Sequence, residues 1–211
     1  MKEEKPVSVE ISENTGVPSA EQSQRSESGS AIGSALEWLE MFVICFAVVL
    51  IAVTFVARHS PVIGSSMRDT LHDGDIVIVH EIFYKPAAGD IIVAQSVPLG
   101  YDEPIVKRVI ATGGQTVDID FKTWSVYVDG EKIDEPYIES MRESEYSGLP
   151  MNHKDISFPL EVPEGYLFVM GDNRNGSMDS RDSRVGLIDE RMVIGHVLFR
   201  LFPFDAFGTV S

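Results

Sequence analysis

Ile105-Val106-Lys107-Arg108-Val109-Ile110 is the clearest fold signal in the chain, because four β-branched residues enclose two cations in one short run. Such residues are enriched in strands, where their branched side chains pack well on a pleated surface. The run therefore predicts a buried strand. Similar short segments, separated by Gly, Pro and Asp turn signals, recur after Pro61 at 76–79, 91–93, 117–120, 125–128, 167–170 and 193–201.

These segments together predict the fold class. Many short strands without long amphipathic helices predict a mainly β domain, a folded-over antiparallel sheet of barrel-like form. Asp129-Gly130 predicts a type I′ hairpin turn. The polar, Pro-punctuated stretch 139–163 predicts a surface excursion between core strands. The apolar run 198–204, with Phe207, is expected to be a core strand, and shallow insertion into a lipid interface is the alternative.

Lys107 is notable because apolar residues occupy most of its own strand. Burial disfavours the ammonium form and can lower a lysine pKa from about 10.4 toward 7 or 8, which makes the amine a usable general base. A lysine at a strand edge more commonly lays its stem over the core and keeps its charge in water. A general base also needs a nucleophile, and Gly64-Ser65-Ser66-Met67 offers two hydroxyls among small residues.

Composition limits the class of partner. The 211 residues suffice for one core of ordinary domain size, and the formal net charge is −16. A chain this acidic has no basic stripe to neutralise phosphates, so we expect no nucleic-acid partner. Cys45 is the only cysteine, which excludes intrachain disulfides and thiol-based metal sites in the β domain.

An uncharged apolar segment runs from Met41 to Ala57 and would extend roughly 26 Å as a helix. That is enough to cross a slightly thinned bilayer, and a buried core helix is the alternative. About forty residues precede the segment, so we interpret it as a retained anchor rather than a cleaved secretory signal. The chain is thus divided into a disordered acidic tail at 1–35, a transmembrane anchor at 36–58 and an all-β domain at 59–211.

The flanking charges and the length of the connection bear on how the β domain meets the membrane. Arg25 precedes the apolar segment, whereas Arg58 and Arg68 follow it, which by itself weakly favours a cytoplasmic β domain. Ser66 follows Ala57 closely, so even an extended connection keeps its hydroxyl within about 30 Å of the end of the segment. We therefore expect the hydroxyl to lie close to the bilayer surface.

A dense polar run, GDNRNGSMDSR at 171–181, directly follows the apolar strand segment that ends at Met170. Loops that leave a core strand with many donors and acceptors often line a functional site. Calcium coordination is an alternative for this run, with oxygen ligands from Asp172, Asn173 and Asp179.

Histidine is the competing candidate for a general base, because Ser/His/Asp is the commoner hydrolase arrangement. None of the histidines is marked as a base by its surroundings in the sequence, and no two have metal-ligand spacing. Two lie near the serine segment, one in the polar excursion and two on predicted strands: His59, His72, His153, His80 and His196. A lysine-based mechanism is therefore preferred.

Three blocks in order, GSSM at 64–67, KRVI at 107–110 and GDNRNGSMDSR at 171–181, follow a single apolar segment. In order and spacing they resemble the type I signal peptidases, which are membrane-anchored serine proteases with a Ser/Lys dyad. The resemblance covers roughly residues 37–203. It implies that Ser66 is the nucleophile and that Lys107 is its general base.

The resemblance also implies supporting roles around this dyad. Ser177 would hydrogen-bond to the lysine amine and orient it. Asp179 and Arg181 would form an ion pair beside it, with Asp172 one layer further from the reacting atoms. The amide of the nucleophile would be an oxyanion donor. The adjoining oxyanion and substrate-pocket region would comprise Gly64, Ser65 and Met67.

The chain departs from the family pattern at three places. Asp69 stands where the family commonly has Pro, and 111–115 reads ATGGQ where Pro, Gly and Asp are frequent. Gly64 lacks the hydroxyl that some members use as a second oxyanion donor, so water or another backbone group would have to complete the hole. A carboxylate near Lys107 would favour the ammonium form, so we expect Asp69 to raise the pKa of the base; a solvent-facing Asp69 is the alternative.

The implied protein is a single-pass membrane peptidase that removes signal peptides from exported preproteins at the outer membrane surface. Its N-terminus would be cytoplasmic and its β domain extracytoplasmic, which overrides the weak tendency of the arginines. We expect a monomer without cofactor or metal, whose partners are preproteins and the lipid bilayer. The alternatives are a Ser/Lys peptidase dedicated to a pilin or conjugation precursor, and an inactive anchored β scaffold.

Overall fold

The computed structural model of the protein describes residues 33–50, 57–95 and 104–210, in two compact units that divide after Ile51. The first unit contains helix α1, Gly33–Leu50, which is long and apolar enough to cross a membrane. Residues 1–32, most of the predicted tail, lie outside the described residues.

The second unit begins its regular structure earlier than the sequence predicts. Ala57 and Arg58, assigned to the end of the anchor, belong to strand β1, Ala57–Pro61. The backbone of β1 pairs antiparallel with β2, Ile76–His80. Ala57 and Arg58 are therefore part of the sheet, and the β domain starts before the predicted boundary at 59.

The larger sheet is antiparallel and curls into a half-barrel. Besides the first two strands it contains β3 Ile91–Ala94, β4 Ile105–Thr112, β9 Tyr166–Met170, β10 Ile188–Asp189, β11 Val193–Phe202 and β12 Gly208–Thr209. The order across the sheet is β1-β2-β11-β3-β4-β9-β10, with β12 against β11. Because β4 is an inner strand between β3 and β9, its centre is shielded from water.

A smaller antiparallel sheet is inserted between β4 and β9. It is formed by β5 Thr116–Asp120, β6 Ser125–Val128, β7 Glu131–Lys132 and β8 Leu160–Glu161, in the order β7-β6-β5-β8. At the predicted hairpin, Asp129 and Gly130 have φ angles of 53° and 81°. Positive φ at both central positions is the requirement of a type I′ turn, so this prediction is confirmed.

The mainly β fold class is confirmed, and each predicted strand segment has a counterpart in the two sheets. The strands that the sequence does not indicate are mostly two-residue pieces such as β7 and β10. Such pieces are too short to show a two-residue periodicity, which is why the pattern misses them.

The stretch 139–163 is more than the predicted surface excursion. It begins with a short helix, α2 Glu139–Glu143, and returns through β8. Met141, Met151 and Val162 are buried, and the last two belong to the core cluster between the two sheets. The excursion is therefore anchored to the core by apolar side chains that interrupt its polar sequence.

The C-terminal apolar run is only partly a core strand. Val197, directly before the run, is fully buried within β11, whereas most large apolar side chains after it are exposed. Phe202 is 44%, Phe204 78% and Phe207 56% exposed. The expectation of a core strand is wrong for this end of the run. β2 pairs with one side of β11 as far as Phe202, but on the other side β3 ends opposite His196 and only the short β12 follows it.

Candidate active site

Lys107 lies at the centre of β4, opposite Ile92 of β3. Only 5% of the residue is exposed, and its Nζ atom is 2.7 Å from Ser66 Oγ and 2.9 Å from the Val106 carbonyl oxygen. Burial lowers the pKa of Lys107 from its ordinary 10.5 to about 8, and the charges of two carboxylates oppose this only in part. The amine can therefore lose its proton near neutral pH while it contacts a hydroxyl.

The serine segment forms a turn that an apolar residue fixes to the core. Gly64 has a φ of 88°, in the left-handed region that favours glycine, and its N–H donates to Asp73 Oδ1 over 2.7 Å. Met67 is 1% exposed and packs in the core cluster with Leu71. Ser65 is exposed and Ser66 half-buried, so of the two hydroxyls only that of Ser66 reaches the lysine.

The polar run 171–181 packs against the serine segment, as its candidate role requires. A Cβ atom at Gly171 would overlap the Ser66 carbonyl oxygen and the Ser177 hydroxyl, so only glycine permits this approach. The Asn173 N–H donates to the Ser66 carbonyl oxygen over 3.0 Å, and its side chain donates to Ser65. The two segments therefore form one site, although about one hundred residues separate them.

Two buried ion pairs support this site. Arg181 donates to both carboxylate oxygens of Asp179 over 2.8 Å, and both side chains are completely buried. Arg108 likewise donates two hydrogen bonds to Asp172, at 2.9 and 2.8 Å. Burial by itself would raise the pKa of Asp179, but the Arg181 guanidinium outweighs it and holds the pKa below its ordinary value. Asp179 is thus charged and paired with Arg181, and Asp172 is paired with Arg108.

The negative charges that act on Lys107 come from Asp179 and Asp172. Asp69 is exposed and is not among the groups that shift the lysine pKa. The expectation that Asp69 raises the pKa of the base is therefore wrong, and the solvent-facing alternative applies. A position three residues from Ser66 in the chain does not fix the direction of an exposed side chain.

Ser177 is buried beside Gly171, but the predicted hydrogen bond to the lysine amine is not formed here. Its Oγ atom makes no hydrogen bond of normal geometry to a described residue, and its influence falls on the Asp179 carboxylate, whose pKa it helps to lower. The contacts of the Lys107 amine go instead to Ser66 and Val106. Ser177 therefore lies within the site without orienting the amine in this arrangement.

The geometry does not favour the calcium alternative. Asp172 and Asp179 each face a guanidinium, and the Asn173 side chain is bonded to Ser65. Within 33–50, 57–95 and 104–210, no group of three or more His, Cys, Asp and Glu side chains could hold a metal ion. The three candidate ligands are thus committed to partners within the protein.

The histidines lie away from the dyad, as far as the described contacts extend. His59, His72 and His153 are exposed. His80 and His196 are paired across β2 and β11, and the ring of His196 stacks on Tyr84. No contact found in the described part of the chain joins a histidine to Ser66, which leaves the lysine as the base in reach of the nucleophile.

The family comparison agrees with this geometry. The model of the family described as signal peptidase, peptidase S26, matches residues 35–202. The chain belongs to this peptidase family. The matched region begins within helix α1 and ends with β11, so it contains every residue of the candidate site.

Curated relatives and a solved structure are similar to this peptidase. "Signal peptidase I" of Bacillus licheniformis is 37% identical over 178 residues, which cover 82% of this chain and 91% of the relative. "Signal peptidase I S" of Bacillus subtilis (strain 168) is 35% identical over 185 residues, with 86% and 96% covered. The crystal structure of a signal peptidase I from Enterococcus faecalis V583 is 30% identical, covers 54% of this chain and 97% of that one, and has a TM-score of 0.47.

Several buried polar contacts near the site were not predicted from the sequence. Arg174 is fully buried and pairs with Glu135, which is 8% exposed. The Arg108 guanidinium lies 3.8 Å from the centre of the Tyr137 ring. Arg174 falls in the 171–181 block and could have been suspected, whereas nothing in the sequence around Glu135 indicates a buried acid.

Proposed function

We propose that the chain is a membrane-anchored serine peptidase that removes signal peptides from exported preproteins. Family membership supports the peptidase class, and the names of the relatives support the signal peptide as substrate. The observation that carries the chemistry is the 2.7 Å separation of Lys107 Nζ and Ser66 Oγ in a site where the lysine is 5% exposed.

In the proposed reaction, the neutral Lys107 amine takes the proton of the Ser66 hydroxyl while Oγ attacks the scissile carbonyl carbon. The tetrahedral intermediate collapses when the lysine ammonium gives this proton to the leaving amine, and an acyl-enzyme remains. Water then attacks the acyl carbon while the lysine takes a proton from it, and the ammonium gives this proton to Ser66 Oγ as the ester bond breaks, which releases the signal peptide with a free carboxylate and restores the serine hydroxyl. A lysine pKa of about 8 suits both directions of this proton transfer.

The groups around the dyad have proposed supporting roles. The Ser66 N–H is the proposed oxyanion donor. The Asp172–Arg108 pair holds the 171–181 run against β4, and the Asp179–Arg181 pair fixes the conformation within the run, so that together they support the placement of Lys107 beside the nucleophile. Gly64 provides the left-handed turn and Met67 the apolar anchor of the serine segment, while the exposed Ser65 belongs to the substrate-pocket region.

The membrane placement is proposed on independent grounds. Helix α1 has the length and composition of a membrane span. The apolar side chains at the end of β11 offer a surface suited to the lipid interface. We propose an extracytoplasmic β domain and a cytoplasmic N-terminus, because the family resemblance outweighs the few flanking arginines. The proposed working unit is a monomer.

A cleavage assay tests the proposed function. The full chain in detergent micelles is incubated with a generic secretory preprotein that has small residues at its cleavage site, and mass spectrometry identifies the new N-terminus. The wild type should release the mature protein, Lys107→Ala should not, and the exposed Lys132→Ala is the matched control. Cleavage of a pilin precursor alone would indicate a dedicated peptidase, and cleavage of neither substrate would indicate a scaffold.

A further inference from the structure

The peptide group between Ser65 and Ser66 is held in place through its carbonyl oxygen. The Ser65 carbonyl and the Ser66 N–H belong to the same planar peptide unit and point in opposite directions. The Asn173 side-chain amide donates to the Ser65 carbonyl oxygen over 3.1 Å. The Arg68 N–H donates to the same oxygen over 3.3 Å. Because the unit is rigid, these two hydrogen bonds together also fix the direction of the Ser66 N–H, the proposed oxyanion donor.

The following peptide group is held by the same residue. The Asn173 backbone N–H donates to the Ser66 carbonyl oxygen over 3.0 Å. Asn173 is 3% exposed, so water has little access to compete for either hydrogen bond. One residue of the 171–181 run therefore holds the peptide units on both sides of the nucleophile.

The orientation of the Asn173 amide is in turn set by two donors. Its Oδ1 atom accepts from the Gly176 N–H over 3.0 Å and from the Tyr146 hydroxyl over 3.2 Å. With its oxygen bound in this way, the amide can present only its nitrogen to Ser65. Tyr146 thus acts on the serine segment through Asn173 without touching it.

Tyr146 is itself held by the smaller sheet. Its ring lies 5.8 Å from that of Trp124, which is 4% exposed. The Trp124 indole N–H donates to the Leu149 carbonyl oxygen over 2.8 Å and so secures the backbone three residues after the tyrosine. These two contacts fix this part of the excursion, and with it the position of the Tyr146 hydroxyl.

We propose that Tyr146 and Asn173 are positioning residues that aim the Ser66 N–H at the oxyanion of the transition state. This inference rests on the proposed function, because it assigns the Ser66 N–H to the reaction of that site. Loss of an oxyanion donor typically lowers kcat by about 100- to 1,000-fold. A donor that is misdirected rather than lost should cost less, so we expect about a tenfold lower kcat for Tyr146→Phe and about a hundredfold lower kcat for Asn173→Ala.

Steady-state cleavage of a preprotein by the full chain in detergent separates this role from a merely structural one. An oxyanion donor acts in the transition state alone, so kcat should fall while KM stays within about twofold. The acid limb of the kcat/KM profile should not move, because Tyr146 does not act on the charge of Lys107. Tyr127→Phe, which removes a half-buried hydroxyl on β6, is the matched control and should behave as the wild type.

The double variant tests whether Tyr146 acts through Asn173. Tyr146→Phe should lower kcat in the wild type but have almost no further effect in Asn173→Ala. Thermal melts verify folding, and Asn173→Asp, which keeps the shape but cannot donate to Ser65, replaces the alanine variant if that one unfolds. Additive losses, a changed KM alone, or a wild-type kcat for Tyr146→Phe overturn the inference. A wild-type chain that cleaves no preprotein overturns the proposed function instead.

Discussion

Lys107 Nζ and Ser66 Oγ are 2.7 Å apart although 41 residues separate them in the chain. The lysine lies on an inner strand, and the serine lies in a turn whose Met67 is buried in the core. Since neither supporting element is a mobile surface loop, the contact is set by the packing of the whole β domain. A proton-transfer pair needs this kind of support, because the distance must persist through the reaction.

Replacement of Lys107 by arginine should abolish cleavage as completely as replacement by alanine. A guanidinium stays protonated at any working pH and cannot take the serine proton, although it keeps the positive charge. General-base catalysis contributes about 100- to 10,000-fold, so kcat should fall at least by that amount. Single-turnover cleavage of the preprotein measures it. Substantial turnover by Lys107→Arg would remove the lysine from the role of base.

Ser66→Ala should be inactive, whereas Ser65→Ala should retain most activity. Only the Ser66 hydroxyl lies beside the lysine amine, while the Ser65 side chain is exposed and its carbonyl, which alanine preserves, makes the contact with Asn173. Because Ser66 and Lys107 act as a unit, the double variant Ser66→Ala/Lys107→Ala should be no worse than either single one. An inactive Ser65→Ala with an active Ser66→Ala would reverse the assignment of the nucleophile.

Some parts of the site could be predicted from the local pattern of the sequence. Lys107 stands in a β-branched run, so its strand follows from propensity, whereas the run alone left a buried and a solvent-facing amine as alternatives. The serine segment and the 171–181 run were also selected from local pattern, but the choice of Ser66 over Ser65 and the roles within the run came from the order of the family blocks. Ion pairing of Asp179 with Arg181 was likewise expected from the resemblance, and the described pair agrees with it.

Other contacts could not be predicted because they depend on tertiary packing between distant segments. Tyr146 lies in a polar excursion whose sequence suggests only a surface loop, yet its hydroxyl reaches Asn173. Glu135 precedes a proline in what reads as a turn, and its burial is evident only once Arg174 is placed opposite. The error about Asp69 has the same origin, since the charges near Lys107 come from residues remote in sequence.

Asp69→Pro should leave the acid limb of the kcat/KM profile where it is in the wild type, near pH 8. That limb reports the protonation of the free base, whose pKa is about 8. Because the base must be neutral, activity should rise with pH through this value and level off above it. The two profiles are measured on the same preprotein between pH 6 and about 10. A limb displaced to lower pH in the variant would mean that the Asp69 carboxylate acts on the lysine.

Glu135→Ala should destabilise the β domain strongly. It would leave the fully buried Arg174 guanidinium without its carboxylate, and breaking a buried ion pair from one side costs about 3–5 kcal/mol. Arg191→Ala, which removes an 85% exposed side chain and leaves the Asp189 carboxylate bonded to the backbone N–H of residue 191, is the matched control and should change the unfolding midpoint little. Urea unfolding in detergent followed by tryptophan fluorescence compares the two. Equal midpoints would show that water reaches and solvates Arg174 in the variant.

Removal of the lysine charge should stabilise the protein in a pH-dependent way. The pKa of Lys107 is about 8 in the folded protein and 10.5 ordinarily. Below pH 8 both the folded and the unfolded chain hold the proton, and the folded state carries a buried ammonium at a cost of roughly 3 kcal/mol. Between pH 8 and 10.5 the unfolded chain alone holds it, so wild-type stability recovers as the pH rises.

Lys107→Met keeps the length of the side chain without the charge, so its advantage over the wild type should be greatest near pH 6.5 and should shrink by roughly 3 kcal/mol toward pH 10.5. Urea unfolding of both full chains in the same detergent at several pH values measures the difference, and Lys132→Met on the exposed β7 corrects for the general loss of a lysine. An advantage that stays constant with pH would mean that water solvates the Lys107 amine in the folded protein. The amine would then keep its proton at neutral pH, and the proposed base would have to be sought elsewhere.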